Sequence, residues 1–458
     1  MTQARAIEVS APPAACDIET DTLIIGAGAC GLVAALSAHE AGQSVLVIEA
    51  DPVPSGSTAL SAGLIPAAGT TFQKSAGIED SSAEFAADIQ RKAAGENDPK
   101  LVDLLARESA GVIEWLSHTH GLPFSVVTDF DYPGHTHRRM HGLPTRAGAE
   151  LINALRSACE AQSIDIICNR RAFSLYHDGT GVCGAGIVAP DGEVESIACS
   201  KLILACNGFG GNRALVEELT PDIKDAVWFG HDGNRGEAIV WGRALNADLH
   251  HLGAYQGHGN VAHPHGILIT WATITEGGVQ VNRDGRRFWN EMQGYSEAAR
   301  AVLAQPGGQA FVIFDARIAR IARQFEDFKN AEAVGAVRCA ETVEDLARDL
   351  RIPADTLADT VADLPLGRRD EFGRNIGTTP LASPFMGVKV TGALFHTQGG
   401  LRTDAKARVL GRDGAPIPGF FAGGGAACGV SGSGDAGYLS GNGLLAAVVL
   451  GRLAGLAK

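Results

Sequence analysis

The segment that most constrains this chain spans residues 22–49. Thr22-Leu23-Ile24-Ile25 is a short apolar run of the kind that forms a strand buried on both faces. The turn Gly26-Ala27-Gly28-Ala29-Cys30-Gly31 follows at once, then an amphipathic stretch over residues 32–41, stopped by Gly42. A second apolar run, residues 45–48, ends on Glu49, eighteen residues after Gly31. Strand, glycine turn, helix and strand within about thirty residues is a βαβ unit, which predicts an α/β fold with a parallel sheet. Each glycine has a physical task. Gly26 permits the tight turn, Gly28 lets backbone approach a pyrophosphate, and Gly31 allows close helix–strand packing, with phosphates at the helix N-terminus. A carboxylate at Glu49 can accept hydrogen bonds from an adenosine ribose. The motif by itself does not separate FAD from NAD.

The chain has 458 residues, which predicts two compact units or one large split one. Its net charge of −14 argues against a nucleic-acid surface or an anionic membrane as partner. Nine dispersed cysteines contain no C-x-x-C pair, which speaks against a zinc ribbon, an attached c-type haem or a thioredoxin-like site and fits reduced thiols in a cytoplasmic protein. No apolar signal region is read in the first twenty residues and no run of eighteen apolar residues occurs, so no membrane insertion is expected. Residues 1–18, with Ala11-Pro12-Pro13, are expected as a flexible tail.

Helical periodicity runs over residues 83–118 and 148–162, and strand-like runs follow at 164–168, 182–188 and 202–206. From about residue 230 strand runs thin out, with helical segments at 296–304 and 342–363. After 385 strands and glycine turns return, and residues 443–457 read as an apolar helix. The expected organisation is a nucleotide-binding domain in two parts, 19–229 and 376–458, with a capping domain inserted at 230–375.

Three further blocks bear on the nucleotide through a resemblance. Residues 392–404 followed by 417–424 (Gly392-Ala-Leu-Phe-His396-Thr397-Gln-Gly-Gly through Ala422-Gly-Gly424), Ser57-Thr58-Ala-Leu-Ser61-Ala-Gly63, and Leu204-Ala205-Cys206-Asn207-Gly208 stand in an order that resembles the flavoproteins of the fumarate reductase and 3-ketosteroid Δ1-dehydrogenase superfamily. The resemblance covers residues 21–455. It implies FAD, a Rossmann-like FAD-binding domain and an inserted α+β cap. It also implies cofactor contacts at Gly26, Gly28, Gly31, Glu49, Ser57, Thr58, Ser61, Gly63, Ala205, Asn207, Gly208, Gly424, Asn442 and Leu444. Family members often place an acid near position 425 to hold the ribityl chain; this chain has glycines there. Covalent-flavin members carry a histidine within the 57–63 region, and none is present, so the FAD is expected to be non-covalent. With no haem or cluster cysteines, electrons are expected to leave to an external acceptor.

The chemistry implied by the resemblance turns on two tyrosines. The cap run Gly277-Gly278-Val-Gln-Val281-Asn282-Arg-Asp-Gly285-Arg-Arg287-Phe288-Trp-Asn290-Glu291 leads in fumarate reductases to a proton-donating arginine four residues after the glutamate; here that position is Tyr295. In the closing loop, Gly437-Tyr438-Leu-Ser440-Gly441-Asn442-Gly443, Tyr438 stands where those reductases have a carboxylate-gripping arginine. Ketosteroid dehydrogenases carry tyrosines at both places, one as base and one, with nearby backbone N–H, as ketone-oxygen donor. Tyr132, in Asp129-Phe-Asp131-Tyr132-Pro133, resembles a tyrosine that backs their base. His258, twelve residues before Thr270, and His396 match substrate-binding positions of the reductases, while the glutamate expected after the threonine is Trp271. His135, His137, His141, His263 and His265 are read as loop residues, with no metal site.

The expectation is therefore an FAD-dependent dehydrogenase that desaturates a ketone next to its carbonyl. Tyr295, supported by Tyr132, is the candidate base, and Tyr438 with the backbone near Gly441 and Asn442 supplies oxyanion donors. His258, His396 and Thr270 are candidate substrate contacts, with Trp271 and Trp289 crowding the site. The favoured substrate is a small cyclic keto acid such as 4-oxocyclohexanecarboxylate. The alternatives are a larger, steroid-like ketone, or fumarate- or urocanate-type enoate reduction.

Overall fold

The computed structural model describes residues 5–458. The chain forms two compact units. The first comprises residues up to Leu219, Gly230–Tyr255 and His396–Lys458; the second comprises Thr220–Phe229 and Gln256–Phe395.

The first unit is built on a mixed sheet in the order Glu8–Ser10, Arg171–His177, Val182–Val188, Val194–Leu204, Ile18–Ile25, Val45–Ile48 and Asp165–Ile167, with Pro416–Ala422 added beside Val194–Leu204. Ile18–Ile25 lies parallel to Val45–Ile48 and to Val194–Leu204, as a βαβ unit requires. The helix Ala29–Glu40 is buried at every position from Ala29 to Ala38. Its apolar character on all sides follows from its place, since the closing helix Asn442–Leu456 also packs against it. Each fully buried Leu or Ile in this core, such as Leu23, Ile24 and Leu32, contributes roughly 1.5–3 kcal/mol.

The glycine turn keeps its expected geometry. Gly26 has φ +106°, and a Cβ placed on Gly31 would meet the Gly26 carbonyl oxygen at 1.9 Å. No side chain fits at position 31 while the helix leaves the strand this closely.

Several boundaries differ from the sequence reading. The tail expected over 1–18 contains a strand, Glu8–Ser10, paired in parallel with Arg171–His177. The helical stretch 83–118 is two helices, Ser82–Lys92 and Pro99–His118. Asp98 starts the second by accepting from Lys100 N–H at 2.9 Å, with Pro99 in the first turn. The stretch 342–363 also splits, at Arg351 with φ +60° and at Pro353, giving Val343–Leu350 and Ala354–Ala362.

The second unit differs most from expectation. It holds a seven-stranded sheet in the order Ile267–Leu268, Tyr255–Ala262, Phe385–Thr397, Gln309–Asp315 and Val279–Val281, with Val227–Trp228 and Val337–Ala340 also paired to Phe385–Thr397. That pairing explains why the cap does not run over 230–375. Phe385–Phe395 belongs to the cap sheet through its antiparallel register with Gln309–Asp315, and residues 230–255 belong to the first unit. Among the described residues no helix is long and apolar enough to cross a membrane.

Candidate active site

In the first unit the expected nucleotide-binding segments converge. Glu49 is buried at the end of its strand; its Oε2 accepts from Ala27 N–H at 2.7 Å and its Oε1 from Asp51 N–H at 2.9 Å. The carboxylate thus holds the glycine turn and keeps further lone pairs for a ribose. Thr58 Oγ1 accepts from Ala29 N–H at 3.0 Å, and Ser61 Oγ–H donates to Thr58 O at 2.7 Å while accepting from Gly63 N–H at 3.0 Å. Thr58, Ser61 and Gly63 therefore shape the loop around the helix start. Ser57 Oγ receives amide donors from Asn207 at 2.8 Å and Asn234 at 3.2 Å. Ala205 backs the turn, since a Cβ on Gly26 would meet Ala205 O, and Gly208 lies against Thr397, whose Oγ1 a Cβ there would meet. Gly424, with φ +58°, faces Cys30, and Leu444 packs on the core.

The residues present fit FAD. Asn234 and Asn442 are fully buried, yet Asn234 Oδ1 and Asn442 Oδ1 have no donor among the described residues. Buried amide oxygens of this kind require donors, and ribityl hydroxyls and a flavin ring N–H are such donors. Asn234 was not foreseen from sequence; the signal available was its place in the His231–Gly236 turn, where His231 also pairs with Asp51 at 2.8 Å.

The closing loop gathers a second group of site residues in the same unit. Tyr438 is buried, and burial pushes its phenol up to about 12; hydrogen bonds with the backbone of Gly441 and Gly443 act in the opposite direction. The phenol therefore stays protonated. The backbone near Gly441, expected to act beside Tyr438, holds the Tyr438 side chain itself. The His396 ring meets the Tyr438 ring at 5.4 Å and 73°. Desolvation pushes His396 down to about 4, so it is neutral at pH 7.

Tyr132 packs edge-on against Phe130 at 5.0 Å, beside Leu64, Val127 and Met140. Burial raises its pKa. Its loop touches the closing loop through His135 Nε2, 3.0 Å from Ser440 O. Fully buried Arg139 anchors the same segment through Asp80, at 2.8 Å, and through Asp88. Two of the histidines read as loop residues are more constrained than expected. His141 lies on the strand Met140–Gly142, fully buried and 2.8 Å from Thr70 Oγ1, and His135 is the closing-loop contact just named. His137, Glu84 and Asp80 come within ligand-sharing range of one another, but both Asp80 oxygens already accept from Arg139.

In the second unit His258 is the centre of a column of rings. It stacks on Tyr295 at 5.2 Å and 17°, and on Phe395 at 5.4 Å and 20°; Phe395 in turn stacks on Phe229 at 4.9 Å and 17°. Trp271 stands edge-on to both His258 and Tyr295. Gly257 and Gly259, on either side of His258, let the helix Tyr295–Leu303 lie close to this strand: Cβ atoms there would meet the Cβ atoms of Ala299 and Ala298 at 2.6 and 2.4 Å. Ser296 Oγ accepts from Gly257 N–H at 2.9 Å and fixes the helix start. Burial pushes His258 down to about 3, and its Nδ1 accepts from Asn260 N–H at 3.1 Å. The ring is neutral, with its proton on Nε2. Thr270 Oγ1 accepts from Ala272 N–H at 3.3 Å and opens the turn that carries Trp271. Trp289, expected to crowd the substrate, belongs to the buried core and donates to Gln280 Oε1 at 2.8 Å.

The motif that precedes Tyr295 is a buried ion network. Glu291 accepts from Arg287 Nη2 at 2.6 Å and Nε at 3.1 Å, from Gln280 N–H at 3.0 Å, and pairs with Arg374 Nη1 at 3.0 Å. Arg287 also reaches Asp370 at 2.5 Å. These residues are scaffold; they set the backbone that leads through Gly294, with φ +141°, into Tyr295.

A family model described as an FAD binding domain matches residues 21–444. The chain belongs to that family. The protein named Probable fumarate reductase Ifc3 from Shewanella frigidimarina (strain NCIMB 400) is 32% identical over 446 residues, covering 95% of this chain and 74% of the relative. A solved structure titled as the open conformation of a flavocytochrome c3 fumarate reductase aligns with TM-score 0.83 and 30% identity over 97% of this chain and 78% of the other. The fold is also shared with 3-ketosteroid-delta4-(5alpha)-dehydrogenase from Rhodococcus jostii RHA1, with TM-score 0.78 and 24% identity over 99% of each chain. This FAD-binding protein is an FAD-dependent oxidoreductase of the fumarate reductase superfamily that acts on carbon–carbon bonds.

Proposed function

We propose that this oxidoreductase desaturates a small cyclic keto acid beside its ketone, with 4-oxocyclohexanecarboxylate as the model substrate. The observation that carries the reading is the pair of tyrosines, Tyr295 and Tyr438, in two motifs where fumarate reductases carry arginines. An arginine stays charged and suits proton donation and carboxylate binding. A phenol can serve as base when deprotonated, or as a neutral donor when its pKa is high.

Tyr438, a buried and protonated phenol, donates to the ketone oxygen and stabilises the enolate as it forms. Tyr295 removes the α-proton. It acts as the phenolate and becomes the neutral phenol as the proton is taken. Bound FAD, held non-covalently, supplies the acceptor for the hydride that leaves the β-carbon, and its electrons then go to an external acceptor. His258, neutral with an Nε2–H, donates to the acid group together with His396, and Thr270 adds a hydroxyl. Trp271 limits the size of the ring that fits, which favours a small ring over a steroid.

The reading is tested with the FAD-loaded enzyme, an artificial electron acceptor and three substrates: the cyclic keto acid, the ketone without the acid, and the acid without the ketone. The keto acid is expected to turn over best, the bare ketone with raised KM, and the bare acid not at all. Tyr438→Phe should lower kcat by about a hundredfold with FAD retained. Turnover of the bare acid, or an unaffected Tyr438→Phe, would remove the ketone from the account.

Enoate reduction is the second reading, favoured by the 32% identity to a fumarate reductase and by the histidines at matching positions. It requires another proton donor in place of the missing arginines.

A further inference from the structure

His396 stands at the end of a line of hydrogen bonds that starts at the closing helix. Asn442 Nδ2 approaches Ser431 Oγ at 3.5 Å, Ser431 Oγ–H donates to Gln398 Oε1 at 2.9 Å, and Gln398 Nε2 lies 2.9 Å from His396 Nδ1. Asn442, Ser431 and Gln398 are all buried. Because the serine hydroxyl donates to the amide oxygen, the nitrogen end of the Gln398 amide faces the ring. An amide nitrogen only donates, so Nδ1 must accept. A neutral imidazole whose Nδ1 accepts carries its proton on Nε2. The Nε2 edge faces Gly443 at the start of the closing helix, since a Cβ placed on Gly443 would lie 3.6 Å from it.

We propose that Gln398 is a positioning residue: with Ser431 behind it, it fixes His396 in the Nε2–H form, so that His396 meets the substrate only as a hydrogen-bond donor. The consequence is selectivity for acceptor groups. A carboxylate or carbonyl oxygen is welcomed at this ring, and a group presenting N–H or O–H is not. His258 is held in the same form by the Asn260 backbone N–H, so both histidines offer donors. A side chain sets the state of His396 where a backbone group sets that of His258, and only the side-chain case can be reversed by substitution. The effect on turnover rests on the proposed reading of His396 as a substrate contact; the protonation pattern does not.

The experiment uses full-length, FAD-loaded enzyme labelled with [15N]histidine. Long-range proton–nitrogen correlation reads which ring nitrogen carries the proton, and a His396→Asn sample assigns the signal among the fourteen histidines. The wild type should show Nδ1 bare and Nε2 protonated. Gln398→Glu places an acceptor-only carboxylate against Nδ1 and should move a proton onto Nδ1, with the flavin absorbance of the holoenzyme retained. Gln398→Leu should raise KM for the keto acid by about tenfold with little change in kcat. If Gln398→Glu fails to hold FAD, Ser431→Ala replaces it and should give a mixture of the two ring forms. A wild-type ring protonated at Nδ1 overturns the inference. So does a folded Gln398→Glu, or in its absence Ser431→Ala, that leaves the wild-type form unchanged. The expected ring forms in an enzyme that ignores keto acids would support this inference and sink the substrate reading.

Discussion

Tyr295→Phe is expected to keep FAD and lose turnover. The substitution removes one hydroxyl and leaves the ring, so the stack on His258 and the edge contact with Trp271 remain. If Tyr295 takes the α-proton, kcat falls by about 10²–10⁴-fold, the range for loss of a positioned base. KM should change little, because the lost interaction belongs to the transition state. The measurement is steady-state turnover beside the flavin spectrum of the purified variant. An unchanged rate would make Tyr295 a packing residue of the column and nothing more.

The second large effect concerns stability. Glu291→Gln leaves the side chain its size but removes the charge that faces Arg287 and Arg374 in a buried setting, with side-chain exposures of 0%, 7% and 4% for Glu291, Arg287 and Arg374. Removing one partner of a buried pair strands the others, at a cost of about 3–5 kcal/mol. Asp370 still pairs with Arg287, so the loss should fall mainly on Arg374 and on the backbone before Tyr295. Three of the five tryptophans, Trp228, Trp271 and Trp289, belong to the second unit, and their fluorescence during denaturation reports on it. The midpoint should fall clearly while FAD absorbance at low denaturant is kept. A midpoint matching the wild type would mean that the network does not hold this unit together.

Both effects arise where sequence and structure diverge most. The glycine turn and its βαβ unit were legible because their pattern is local: Gly26, Gly31 and Glu49 lie within one continuous segment of about thirty residues. The sheet of the second unit was not. Its strand Tyr255–Ala262 reads Tyr-Gln-Gly-His-Gly-Asn-Val-Ala, with two glycines and one β-branched residue, so it lacks strand character when read alone. Those glycines serve the helix packed on them, a long-range demand that no propensity reports. The ring column depends on the register of neighbouring strands, so the motif singled out His258 and Tyr295 as candidates but did not reveal Phe395 or Phe229. The signal for Phe395 and Gln398 was present, since both flank His396 in the stretch already singled out. What hid them is that a phenylalanine and a glutamine carry no chemical signature of their own beside a histidine. The scaffold role of Glu291 was hidden for a related reason: Arg374 and Asp370 lie about eighty residues away in sequence.

The claim that this FAD-dependent oxidoreductase oxidises a carbon–carbon bond beside a ketone is tested most directly by anaerobic mixing. Oxidised enzyme is mixed with 4-oxocyclohexanecarboxylate, and enzyme reduced beforehand is mixed with fumarate, while flavin absorbance is followed. The account predicts rapid bleaching by the keto acid and no reoxidation by fumarate. An oxidised flavin left unbleached by cyclic keto acids, together with a reduced flavin that fumarate reoxidises, would contradict it.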